Sequence, residues 1–174
     1  MSESVHKHRE SAPEYVRVAV LTISDTRTPE TDTGGDTIEE LMRDAGHEVV
    51  GRDIVKDDAA RIRAEIVDLL ARSDVDAVIT TGGTGISARD TTYEVVERML
   101  DKKLDGFGEI FRVLSYEEIG AAAILSRAVA GAVGAKLVAC LPGSRNAVHL
   151  AVEKLLVPET AHIVFELKKH QEGS

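Results

Sequence analysis

The sequence predicts an α/β fold, a parallel sheet carrying helices on both faces, and three observations predict it. Runs of Val, Ile and Ala that are apolar at nearly every position alternate with segments whose apolar residues follow the helical period. Strands covered on both faces belong to parallel sheets, and each parallel connection needs a crossover, here a helix. The glycines, hydroxyls and carboxylates cluster at the ends of those apolar runs, where the loops of such a sheet open onto one edge. At 174 residues the chain suits one domain with a sizeable core. That domain is expected over residues 14–170, behind a polar, mobile tail over residues 1–13.

Taken in order, residues 15–24 (YVRVAVLTIS) form the first strand, which ends in Ser24 and Asp25. A polar loop leads into a helix with Ile38, Leu41, Met42 and Ala45 on its inner face, stopped by Gly46 as a left-handed cap. Residues 48–55 form the second strand, followed by Lys56, Asp57 and Asp58 and a helix burying Ile62, Ile66, Leu69 and Leu70. The third strand, residues 77–80, runs straight into TTGGTG. The helix beyond opens on a capping box, Thr91 with Glu94, and buries Val95, Val96, Met99 and Leu100. Residues 101–134 read as two helical pieces joined near Gly120, the second packing through its alanines. Residues 136–141 form a fourth buried strand, and Pro142, Gly143 and Ser144 turn into a helix over residues 146–156. Pro158 in a first turn starts the last helix, with Ala161, Val164, Phe165 and Leu167 inward.

Composition limits the function. With 21 basic and 30 acidic residues the net charge is −9, which excludes an electrostatic grip on nucleic acid. No apolar run reaches the roughly 18 residues of a membrane span, and the N-terminus lacks the apolar segment of a secretory signal. A cytoplasmic protein with neither nucleic acid nor membrane as partner is expected. Cys140, the only cysteine, lies in an apolar run and reads as core. His47, His149 and His162 stand alone, without metal-ligand spacing, and the HKH triplet at residues 6–8 offers at most a weak metal site.

The stretch with most chemistry is residues 76–90, DAVITTGGTGISARD. A buried strand breaks into Thr80 and Thr81, then Gly82, Gly83, Thr84 and Gly85, and closes on Arg89 and Asp90 before a helix. Glycines let backbone amides approach an anion, threonine hydroxyls add donors, and a helix start adds a favourable dipole. Carboxylates beside a bound phosphate repel it unless a cation intervenes, so Asp57 and Asp90 near this loop imply Mg²⁺. Magnesium, carboxylates and a polyphosphate together suggest phosphoryl or nucleotidyl transfer. Taken singly, Asp25, Asp57 and Asp58 also suit turns or caps, Asp90 suits a helix cap, and Arg89 suits either a surface ion pair or a phosphate clamp. Gly83, Gly85 and Ala88 match a GxGxxA dinucleotide pattern formally, but no strand-ending acid follows at the required distance. A P-loop and a GxSxG elbow are both absent.

Taken together, ISD at 23–25, TTGGTG at 80–85, ARD at 88–90, GFGE at 106–109, ILSR at 124–127 and LPGS at 141–144 resemble the MoaB/MogA molybdopterin-binding family across about residues 15–157. The resemblance implies a three-layer α/β sandwich with a mostly parallel central sheet and a trimer-based assembly, with a hexamer favoured by the MoaB-like character of residues 111–131. It implies Mg²⁺-dependent transfer of AMP from ATP to the terminal phosphate of molybdopterin, with release of pyrophosphate. The alternative it carries is a non-catalytic molybdopterin-binding scaffold; other enzymes of molybdenum cofactor assembly are further expected partners. By position, Asp57 and Asp90 match the family's catalytic and metal-handling aspartates. Ser24, Asp25, residues 80–85 and Arg89 match the nucleotide and phosphate loops. Ser115, Ser126, Arg127, Pro142, Gly143 and Ser144 match the molybdopterin pocket.

Overall fold

The computed structural model describes residues 13–169. The greater part of the expected tail, its HKH triplet, and His170 at the far end of the expected domain lie outside the described residues. The strands are β1 (Arg17–Ile23), β2 (Glu48–Val55), β3 (Ala77–Thr81), β4 (Lys102–Lys103), β5 (Val129–Val133) and β6 (Lys136–Leu141). They form one six-stranded sheet of order β2-β1-β3-β6-β5-β4. The first four in that order are mutually parallel, while β5 runs antiparallel to both β6 and β4. The helices are α1 (Thr33–Asp44), α2 (Ala59–Ala71), α3 (Thr92–Met99), α4 (Asp105–Ile119), α5 (Arg145–Ala151) and α6 (Val157–Lys168).

Side-chain alternation along the strands builds two cores. Val18 and Val20 of β1 join Ile79, Leu137, Ala139 and Leu141 on one face, under α1, α4, α5 and α6. Ala19 and Leu21 join Val78, Val138 and Cys140 on the other, under α2 and α3 through Ile62, Ile66 and Val96. This is the expected three-layer sandwich. Each central strand is apolar along most of its length because each face has its own helical cover.

Three expectations are corrected. Residues 101–134 do not form two helices: α4 ends on Gly120, whose φ is 61°, a short 3₁₀ turn (Gly120–Leu125) follows, and the alanine-rich stretch then enters β5. Alanine favours helix locally, but the open edge of β6 offers a hydrogen-bonding partner, and tertiary context overrides propensity. The Gly131 backbone packs so close to Lys102 that an added Cβ would lie 2.2 Å from its carbonyl oxygen. The two C-terminal helices are not separate either. A π turn (Val152–Leu156) joins α5 to α6, with the Val157 amide donating to Val152 O, because Pro158 has no amide to continue the normal ladder. Finally, Thr91 stands at the N-cap of α3 without capping it. Its hydroxyl goes to Asp57 and Glu94 goes to Arg127, since partners brought in by the fold outcompete the local box.

Candidate functional site

The carboxyl ends of β1, β2, β3 and β6 share one edge, and the strand order reverses beside β1, with β2 on one side of it and β3, reached from β2, on the other. Ligands of open α/β sheets bind at such a switch point. Here it is a hollow of about 210 Å³ lined by Ser24, Arg27, Asp32, Gly82, Gly83 and Gly143 among others. A larger hollow of about 580 Å³ adjoins it beside β2, lined by Asp25, Arg27, Arg52 and Lys56 among others.

The glycine loop forms the wall between β1 and α3. Gly82 has φ 98°, and a Cβ there would lie 2.2 Å from Ile23 O, so only glycine lets β3 turn over the end of β1. Gly83 has φ 63°, and a Cβ would meet Thr92 Oγ1 at 2.1 Å and Asp57 Oδ2 at 2.8 Å. The loop is tied to its neighbours by Gly82 N–H donating to Leu141 O at 3.1 Å and by the Thr81 hydroxyl donating to Pro142 O at 2.8 Å. The strand ends carrying TTGGTG and LPGS are therefore locked together.

The loop's threonine hydroxyls are expected as ligand donors; the structure buries Thr80 in the sheet with its hydroxyl unpartnered and gives Thr81 a partner in the protein. Thr80 is fully buried beside Cys140 within the sheet, and Thr81 is spent on Pro142. Thr84 is also buried. Ser115 lies on the buried side of α4, its hydroxyl donating to Phe111 O at 2.8 Å, so it supports the helix from within. Ser126 is half-buried at the end of the 3₁₀ turn, and Ser144 caps α5 through the Ala147 amide. Gly143 and Ser144 are exposed beside the crevice. Ser24 gathers the turn after β1, its Oγ accepting from the amides of Thr26 and Arg27. Arg89 meets Asp25 at 2.7 Å, so of its two readings the structure displays the ion pair, one that spans the mouth between the loop tip and β1.

Asp57 and Asp90 flank the loop under different fields. Burial pushes the Asp57 carboxyl up, a hydrogen bond from Thr91 opposes this, and the charges of Asp90 and Asp25 push it further up. Hydrogen bonding from Ser87 holds Asp90 below the usual carboxylate range, against partial burial and with help from Arg127. A pair of carboxylates driven apart in this way is a recurrent arrangement at functional sites. The Thr92 hydroxyl, fully buried and facing the same glycine as Asp57, finds no hydrogen-bond partner. Two carboxylates, a free hydroxyl and a glycine cradle make an all-oxygen donor set, which fits a hard divalent cation. Among the described residues no cluster of three or more His, Cys, Asp or Glu could hold a metal.

The residues not anticipated are Thr22, Arg27, Asp32 and Arg52. Asp32 is 1% exposed, caps α1 through Gly35, accepts from the Thr22 hydroxyl at 2.8 Å and pairs with Arg52 at 2.9 Å. The Arg27 guanidinium donates to Thr31 O and to the Thr33 hydroxyl. The available signal was the Asp-x-Gly-Gly entry to α1 and a threonine inside an otherwise apolar strand. His149 and His162 each lie beside a glutamate close in sequence, Glu153 and Glu159. Burial pushes the Cys140 thiol up to about 12, in keeping with a packing role.

Fold and site together define a class, the open α/β protein with a glycine-walled, carboxylate-flanked crevice at the switch point of its sheet. Within that class the chain belongs to the family described as the probable molybdopterin binding domain, whose model matches residues 19–162. It is 50% identical over 167 residues to molybdenum cofactor biosynthesis protein B of Bacillus cereus, covering 95% of this chain and 99% of that one. A crystal structure of a molybdenum cofactor biosynthesis protein B superposes with a TM-score of 0.89 at 50% identity, over 92% of this chain and all of that one. The tungsten cofactor synthesizing protein MoaB from Pyrococcus furiosus superposes with a TM-score of 0.81 at 37% identity, over 90% of this chain and 99% of that one.

Proposed function

We propose that the protein acts in molybdenum cofactor biosynthesis as a nucleotidyltransferase, moving AMP from ATP to the terminal phosphate of molybdopterin and releasing pyrophosphate. The observation that carries this reading is the placement of Asp57 and Asp90 on either side of the Gly82–Gly85 cradle at the switch point. The glycine loop takes phosphate, and the hollow beside β2 gives room for the rest of a substrate, with Arg27 and Lys56 at its wall. Asp57, Asp90 and the Thr92 hydroxyl would hold Mg²⁺, which supplies charge neutralisation to the phosphates when bound. With only two carboxylates offered, water and substrate oxygens complete the shell, the usual habit of magnesium. Asp57, raised by burial and by the charges of Asp90 and Asp25, would gain most from such a cation.

The test is direct. Purified protein given Mg-ATP and molybdopterin releases pyrophosphate, and Asp57→Asn or Asp90→Asn lowers the rate at least about 100-fold while the melting temperature stays close to wild type. Pterin binding by the wild type with no pyrophosphate released would instead establish the scaffold reading. Self-association is part of the same proposal. Ile110, Val113, Tyr116 and Ile119 recur every three residues along α4, and with Ile124 and Leu125 beyond it they are all exposed apolar side chains. A second copy covering that face accounts for it, in a trimer or a hexamer.

A further inference from the structure

The geometry points to Arg127 as a positioning residue, one that holds the glycine loop and Asp90 in their working shape without itself touching ligand. This deepens the reading above and rests on it only for the identity of the ligand. The guanidinium stands between three elements. Its Nε donates to Thr84 O at 2.9 Å and its Nη2 to Gly85 O at 3.0 Å. Its Nη1 and Nη2 reach the two carboxylate oxygens of Glu94 on α3 at 2.6 and 3.2 Å. Its plane lies over Tyr93, 4.5 Å from the ring centroid. A guanidinium has five N–H donors in a fixed fork, and four hydrogen bonds to protein leave little for a substrate.

The consequence follows from peptide geometry. A trans peptide sets the amide of one residue opposite the carbonyl of the residue before it, and the described residues contain no cis bond. Gly83 O is already taken by the Thr92 amide at 3.0 Å. Three successive carbonyls are thus taken by the protein, and with Thr84 O and Gly85 O drawn to Arg127 the amides of Gly85 and Ile86 are turned to the side away from it. Asp90 lies on that side: its Oδ2 sits 2.5 Å from where a Cβ of Gly85 would be, and it accepts from Ser87 N–H at 2.9 Å. The Gly85 amide adds to the hydrogen bonding around it. Arg127 thus orders the loop from behind, and Glu94 and Tyr93 hold Arg127. Lysine keeps the charge but lacks the fork, so it cannot hold two carbonyls and a carboxylate together.

The experiment compares wild type with Arg127→Lys, Glu94→Gln and the double variant. Amide hydrogen exchange over residues 84–90, Mg-ATP affinity by calorimetry and thermal melting are measured on each. Positioning predicts that Arg127→Lys speeds loop exchange and weakens Mg-ATP by about tenfold each, with Glu94→Gln moving both in the same direction. The double variant is then no worse than Arg127→Lys alone, because both substitutions break one unit. Exchange and affinity within twofold of wild type in both single variants would overturn the proposal. So would an affinity loss in Arg127→Lys with unchanged loop exchange and no coupling to Glu94, the pattern of a direct ligand contact. If wild type fails to bind Mg-ATP, the nucleotidyl reading falls, while the exchange measurements still decide the role of Arg127. Should Arg127→Lys fail to fold, Glu94→Gln alone carries the same comparison.

Discussion

Gly83 and His47 show how much a single position can carry. Alanine at Gly83 must adopt φ 63° and push its Cβ against Thr92 Oγ1 and Asp57 Oδ2. Gly83→Ala is expected to lose about 1–3 kcal/mol, read as a melting shift, and to weaken phosphate binding. Gly106→Ala, where a Cβ meets nothing within 4 Å, is the matched control and should be neutral or slightly stabilising. His47 is buried, its Nδ1 accepting from Val16 N–H at 3.4 Å while Nε2 faces the Val157 carbonyl without reaching hydrogen-bond geometry. Burial lowers its pKa, so below the ordinary histidine value of about 6.5 the unfolded chain binds the proton more readily. Stability is therefore full above about pH 6.5 and falls as pH drops through that value. Denaturant titrations between pH 7.5 and 5 should show a shallower decline in His47→Gln than in wild type.

At the scale of elements, the edge of the sheet opposite the crevice is pinned by Asp76. Its carboxylate accepts from the Arg17 backbone amide and guanidinium and from Lys168 at 2.6 Å, joining β1, β3 and α6. Burial alone would raise this carboxyl, but Arg17 and Lys168 outweigh burial and hold it well below the usual range. The stability so gained is present above the unfolded value of about 3.9 and is lost as pH falls through the depressed folded value. Removing the carboxylate at neutral pH leaves two cations without their partner. Asp76→Asn is expected to cost about 2–3 kcal/mol, checked by urea unfolding at pH 7. How far elements are legible in sequence is also clear here. The three central parallel strands read directly, because burial on two faces leaves a nearly unbroken apolar run, while β2, half-buried at the sheet edge, keeps only Val49, Val50, Ile54 and Val55 of that signature. β4 has only two residues, and β5 is alanine and glycine between two valines, so neither bears a clear strand signature; β5 exists because β6 has an open edge to be covered, and β4 pairs onto β5 in turn.

For the molecule as a whole, the apolar side chains exposed along α4 and the 3₁₀ turn after it are left unexplained by a single chain. Tyr116 is 64% exposed and Ile124 84% exposed, a poor use of such side chains in a monomer. Light scattering on the wild type should return an oligomer, and Tyr116→Glu should shift it toward smaller species with far-ultraviolet dichroism unchanged. A wild-type monomer at micromolar concentration would refute this. No helix among the described residues is long and apolar enough to cross a membrane.

The sequence by itself determined the layers, the strand ends that carry chemistry, and the glycine loop with its two aspartates. Each of these is a local pattern: a period of apolar residues, a cluster of glycines, a carboxylate at a strand end. What only the tertiary structure decided is the partner of each polar group. Thr91 reads as a cap and bonds Asp57; Glu94 reads as its companion and holds Arg127; Arg127 resembles a pocket residue and grips the loop's carbonyls. The physical reason is that a buried or half-buried polar group takes the best-aligned partner within reach, and what lies within reach is set by packing between elements far apart in the chain.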